Sequence, residues 1–133
     1  MLRQCSSPTI LTRMNPIHQT KPTLIPVPDG KRIEEHFGRV ATETNDVSVA
    51  RMEAPAGWSE PAQEPAFGEY TLMVSGVLRV DLPDGSVDLH AGESLFVPPG
   101  MRVRYGNPFD RPCSYWAVCL PAFSPETAHR QDV

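Results

Sequence analysis

Val77-Leu78-Arg79-Val80-Asp81-Leu82, then Pro83-Asp84-Gly85, then Ser86-Val87-Asp88-Leu89, is the stretch that decides the fold. Apolar and polar residues alternate on both sides of an Asp-Gly pair, and that pair supplies the positive φ a tight turn needs, so residues 77–89 read as a β-hairpin. Outward from it, short runs rich in β-branched and aromatic residues recur between turn residues every eight to twelve positions. They are Glu34 to Thr42, Val47 to Glu53, Tyr70 to Val74, Ser94 to Val97, Arg102 to Tyr105 and Cys113 to Leu120. This spacing is that of an all-β sandwich or barrel. Ser124-Pro125-Glu126-Thr127-Ala128-His129-Arg130 departs from it and predicts one helical turn, with Ser at the N-cap, Pro at the first helical position and basic residues at the end. Such a turn suits the end of a barrel.

Residues 1–30 carry Pro8, Pro16, Pro22, Pro26 and Pro28 and end at Pro28-Asp29-Gly30, so they read as an extended N-terminal arm before a domain spanning 31–133. Proline keeps the arm out of helices and central strands. It leaves open a position along a barrel edge, on a partner subunit, or in solvent.

Two spaced sets of residues carry a family resemblance. Gly57 is followed after five residues by Gln63-Glu64-Pro65, then after three by Glu69, and after six more by Gly76. Gly92 is followed after five by Pro98-Pro99-Gly100, then after two by Val103, and after three more by Asn107. These resemble the two cupin motifs, G-x5-H-x-H-x3-E-x6-G and G-x5-P-x-G-x2-H-x3-N, with every glycine, proline and asparagine in register. The resemblance implies a cupin-type β-barrel (jelly-roll). Cupins typically hold a divalent metal with three histidines and one glutamate, and the corresponding positions here are Gln63, Pro65, Val103 and Glu69. Proline and valine have no donor atom, and a carboxamide is a weak ligand for transition metals. The expectation is therefore no cofactor, with a divalent cation held weakly by Glu60, Glu64 and Glu69 as the alternative. Tyr105-Gly106-Asn107-Pro108 is similar to the ethanolamine-utilisation cupins. Tyr70 to Gly76 and Pro121-Ala122-Phe123 resemble small metal-free cupins of natural-product pathways, which act as dehydratases or isomerases.

Strand alternation then selects the lumen. If Glu69 points inward, so do Thr71 and Met73; if Val103 takes the histidine position, Tyr105 also points inward. A carboxyl there loses hydration, its pKa rises, and with the Tyr105 phenol it suits proton abstraction beside a carbonyl. Glu69 and Tyr105 are thus the candidate catalytic pair of an isomerase, dehydratase or lyase acting on a small polar metabolite. The contrary reading makes Glu69 an inert strut paired with Arg51. Trp58, Gln63, Glu64 and Trp116 are further candidates for binding substrate, at the mouth or in the wall, and His129 could reach the pocket from the closing turn. A non-catalytic ligand-binding or accessory cupin remains the alternative, separated by the behaviour of Glu69→Gln.

Composition narrows the partners. The chain has 133 residues and a formal net charge of −4, with its 12 basic residues scattered singly, which argues against nucleic acid. No apolar run approaches the length of a membrane span. Cys5, Cys113 and Cys119 show no C-x-x-C spacing, which suits a reduced, cytoplasmic protein with buried thiols. A small barrel with edges to protect is expected to form a homodimer.

Overall fold

The computed structural model describes residues 15–130. Nine strands follow in order: β1 (Thr23–Ile25), β2 (Arg32–Phe37), β3 (Ser48–Ala54), β4 (Gly68–Ser75), β5 (Val77–Leu82), β6 (Gly85–His90), β7 (Ser94–Val97), β8 (Arg104–Gly106) and β9 (Cys113–Leu120), and then the helical turn α1 (Pro125–Ala128). They form a six-stranded sheet, β1-β2-β3-β9-β4-β7, and a three-stranded sheet, β6-β5-β8. Every pairing is antiparallel. This is the all-β class that the strand spacing implies and the jelly-roll that the family resemblance implies, and Leu82 pairs with Gly85 so that Pro83 and Asp84 make the turn.

The core fills the space between the sheets. Ala54, Met73, Val97 and Tyr115 from the large sheet meet Leu78, Val80, Leu89 and Tyr105 from the small one. Gly76 makes the passage from β4 to β5. Its φ is +75°, and a Cβ there would lie 2.7 Å from both the Cys113 Cβ and the Pro112 carbonyl oxygen, so no other residue fits. The fully buried Asn107 donates its amide to the carbonyls of Ala54 (3.3 Å), Pro55 (3.2 Å) and Arg111 (2.8 Å). Its Oδ1 accepts from the Phe109 amide at 3.2 Å. One side chain thereby ties the end of β8 to the end of β3.

One strand bound is corrected. The run Glu34 to Thr42 stops being strand at Phe37, because the Glu35 carboxylate accepts the amides of Val40 (2.9 Å) and Ala41 (2.8 Å) and folds the chain into a turn. Of the positions left open for the arm, its described part takes the barrel edge: Thr23–Ile25 adds to the sheet, Leu24 opposite Glu34, and Pro22 and Pro26 limit it to three residues. Residues 1–14 lie outside the described part. The C-terminal turn forms as expected, with the Ser124 side chain accepting from the Thr127 amide and His129 as C-cap at φ 53°. It is laced to the loop before β4 by Glu64 N–H to His129 O (3.1 Å) and Ala66 N–H to Thr127 O (2.8 Å), and so closes that end of the barrel. No helix among the described residues is long and apolar enough to cross a membrane.

Candidate functional site

Because side chains alternate along a strand, the inner face of β3 is Ser48, Ala50 and Met52, and that of β9 includes Ala117 and Cys119. Together with Ile33 and Glu35 of β2 and Glu69 of β4, they wall a cavity of about 60 Å³. Ile25 and Val27 of the arm border it, as do Phe123 and Arg130 of the C-terminal segment.

Charge gathers on Glu60. Its Oε1 accepts from the Lys31 ammonium at 3.2 Å and, at 3.5 Å, from Arg130; its Oε2 accepts from the Gln63 amide at 2.9 Å. The Glu60 and Lys31 side chains are 3% and 7% exposed, and that of Arg130 31%. The Lys31 nitrogen also sits 4.5 Å from the centroid of the Trp58 ring, a cation–π contact.

Glu69 faces the same cavity and keeps partial solvent access through it. Burial of its carboxyl, reinforced by the negative charge of Glu60, raises its pKa from 4.5 to about 7, against the smaller opposing effects of Lys31 and the Tyr105 hydroxyl. Tyr105 is itself buried, and its hydroxyl, although near enough to favour the charged carboxylate, completes no well-formed hydrogen bond. Burial and the charge on Glu69 hold that phenol well above its ordinary range, so it is a donor and not a base. Tyr115 is held high for the same kind of reason, with Glu60 contributing more than Glu69. The Thr71 hydroxyl and the Trp58 indole N–H are likewise buried without partners among the described residues.

The donor set does not fit a cupin metal. Gln63 donates its amide N–H to Glu60 and has only a weakly ligating carboxamide oxygen to offer, Pro65 is buried without a donor atom, and Val103 is packed at 1% exposure. The carboxylate alternative fails on position: Glu64 points to solvent, and Glu60 is already held by Lys31 and Arg130. Among the described residues no three His, Cys, Asp or Glu side chains cluster closely enough for a metal ion.

The remaining sequence candidates scatter. Arg51 lies on the outer face of β3, donating to the Ser114 hydroxyl at 3.4 Å with its guanidinium 5.8 Å from the Trp116 ring, so it cannot be the strut for Glu69. Trp116 is on that outer face too, against His36 at 5.0 Å. Met73 and Val103 are core, and Trp58 is a buried wall carrying Lys31 rather than a lid. His129 is exposed, its Nδ1 3.1 Å from the Glu64 carbonyl, and the next residue, Arg130, reaches the cavity instead. Sequence reasoning missed Lys31 and Arg130, and considered Glu60 only as a metal ligand. Their partnerships span 29 and 70 residues and leave no local pattern.

A broader cleft of about 380 Å³ borders Trp58, Arg79 and Arg104. Its cations are committed: Arg79 to Asp88 at 2.8 Å, Arg104 to the Glu60 carbonyl at 3.1 Å and the Ser59 hydroxyl at 3.2 Å. Trp58 and Tyr105, whose indole N–H and hydroxyl have no partner among the described residues, also border this cleft, whereas Glu69, Lys31 and Arg130 border the smaller cavity.

The architecture is that of the jelly-roll β-barrels, with polar side chains converging inside the barrel. Comparison makes it specific: residues 50–119 match the family described as Cupin domain, and the chain belongs to the cupin family. The polyketide cyclase RemF from Streptomyces resistomycificus has the same fold, with a TM-score of 0.64 and 16% identity, over 86% of this chain and 89% of that one. A putative ethanolamine utilization protein Q from Salmonella typhimurium superposes with a TM-score of 0.57 and 16% identity, over 70% of this chain and 71% of that one. A Myxococcus xanthus protein named Endoribonuclease YbeY is 48% identical over 119 residues, 90% of this chain but 40% of its own length. The chain thus spans less than half of that relative.

Proposed function

We propose that this cupin moves a proton on a small polar metabolite without a metal, as an isomerase, dehydratase or lyase, with Glu69 carrying the proton and Tyr105 donating a hydrogen bond to the oxygen that gains charge. The observation that carries the reading is a cavity-lining carboxyl with a pKa near 7 beside a buried phenol that has no partner of its own. Such a carboxyl exchanges protons in both directions at neutral pH, and positioned acid–base catalysis of this kind contributes roughly 10²- to 10⁴-fold. Tyr105 stays protonated throughout, which suits an oxygen developing enolate character. Gln63, Pro65 and Val103 in the metal positions support the same reading.

The test is NMR-detected deuterium exchange, in D2O, beside the carbonyl of a panel of short oxo acids, aldehydes and ketones. The wild-type protein is expected to accelerate exchange on at least one of them, and Glu69→Gln to lose that acceleration by about a hundredfold or more. Equal rates in the two proteins refute the proposal. The small cavity favours one second reading, a cupin that binds a ligand without turning it over; saturable binding with no exchange in either protein is its signature.

A further inference from the structure

We infer that the cavity takes a small organic acid as its monoanion, the carboxylate seated on Lys31 and Arg130. This names the substrate class of the site just proposed and rests on that reading. The first observation is unused donor capacity. An ammonium has three N–H groups, and the described residues engage one of those on Lys31, at 3.2 Å to Glu60, although the side chain is 7% exposed. The Trp58 face 4.5 Å away stabilises charge but accepts no ordinary hydrogen bond. Arg130 touches Glu60 through one nitrogen at 3.5 Å, the long limit of a hydrogen bond, and is 31% exposed. No side-chain hydrogen bond from the described residues engages its remaining N–H groups, and the residue borders the cavity. Donors held out of water are costly until an acceptor arrives.

The second observation is charge. Glu60 neutralises one of the two cations. The Glu35 carboxylate also borders the cavity, but its Oε2 is spent on the amides of Val40 and Ala41. The lining thus sets two cations against the carboxylates of Glu35 and Glu60 and the titrating Glu69, so a singly charged acid seated on Lys31 and Arg130 meets less repulsion there than a dianion such as phosphate would. The third is size and lining. With about 10 to 15 Å³ needed per water-sized group, a cavity of about 60 Å³ takes a molecule of a few heavy atoms. Ile33, Ala50, Met52 and Phe67 in its wall suit a short apolar tail and not a polyol.

Calorimetric titration of the full chain with pyruvate and crotonate, with their neutral amides and with inorganic phosphate tests this. At least one acid is expected to bind saturably and its amide at least about tenfold more weakly. Arg130→Gln and Lys31→Met are each expected to weaken acid binding by about tenfold or more. Amides binding as tightly as acids, phosphate binding more tightly than either acid, or no binding of either acid overturns the inference. Should Lys31→Met fail to fold, the acid–amide comparison in the wild-type protein and the Arg130→Gln result decide it. Acid binding without deuterium exchange sinks the proposed catalysis and keeps this inference. Exchange on neutral carbonyls with no acid binding does the reverse.

Discussion

Replacing Glu69 by Gln should make the protein more stable at alkaline pH, the opposite of what removing a buried ion-pair partner does. The carboxyl rises from 4.5 to about 7 on folding, so the folded state prefers it protonated. That preference stabilises the fold fully below pH 4.5, fades as pH rises, and is gone above about 7, where the native state must hold a charge that the unfolded chain carries freely in water. At about 1.4 kcal/mol per pH unit, the whole effect is roughly 3 kcal/mol. Gln imitates the neutral acid in shape and never ionises. The stability of Glu69→Gln minus that of the wild-type protein should therefore grow by roughly 2 to 3 kcal/mol between pH 5 and pH 8. Urea unfolding of both proteins at several pH values measures it, and the other titrating groups cancel in the difference. A difference that does not change with pH, or a variant less stable than wild type at pH 8, refutes the reasoning and identifies Glu69 as a charged structural strut.

Further outcomes are expected. Gly76→Ala, which drives a Cβ into the Cys113 Cβ and the Pro112 carbonyl at 2.7 Å, should cost about 3 kcal/mol or more in thermal unfolding. Gly57→Ala, also at positive φ (+81°) but with nothing within 4 Å, should cost only about 1 kcal/mol, and equal costs would contradict the packing argument. Asn107→Ala leaves the carbonyls of Ala54, Pro55 and Arg111 without their shared donor and should cost about 2 to 3 kcal/mol; a loss below about 0.5 kcal/mol would show that the clamp is idle. Burial pushes the Cys113 thiol up to about 11 and that of Cys119 higher still. In a Cys5→Ser background, then, a disulfide reagent at pH 8 should label neither until urea unfolds the chain, and rapid labelling of the native protein would contradict their burial.

The strands were legible because their signals are local. Alternation and turn residues set Val77–Leu82, Ser94–Val97 and Cys113–Leu120 to their observed bounds. β1 was hidden by the prolines around it, and β2 was drawn too long because the turn after it is held by the Glu35 carboxylate, which no propensity scale records. In the site, Glu69 and Tyr105 could be placed inward from motif spacing and parity within a strand. Arg51 was misplaced because parity between strands depends on register: β9 lies between β3 and β4, with Arg51 opposite Trp116 and Glu69 opposite Cys119. Lys31, Glu60 and Arg130 meet only once the residue before β2, the loop before β4 and the end of the C-terminal turn are folded onto one end of the barrel. Tertiary convergence of that kind has no period in sequence.

The central claim is that Glu69 gains and loses its proton near neutral pH. Carbon-detected NMR of its side-chain carboxyl across pH 4 to 9, assigned by the loss of the signal in Glu69→Gln, tests that claim most directly. A titration midpoint near 7 is the predicted result. A midpoint at or below the ordinary 4.5 would contradict it and leave the cavity without its proton carrier.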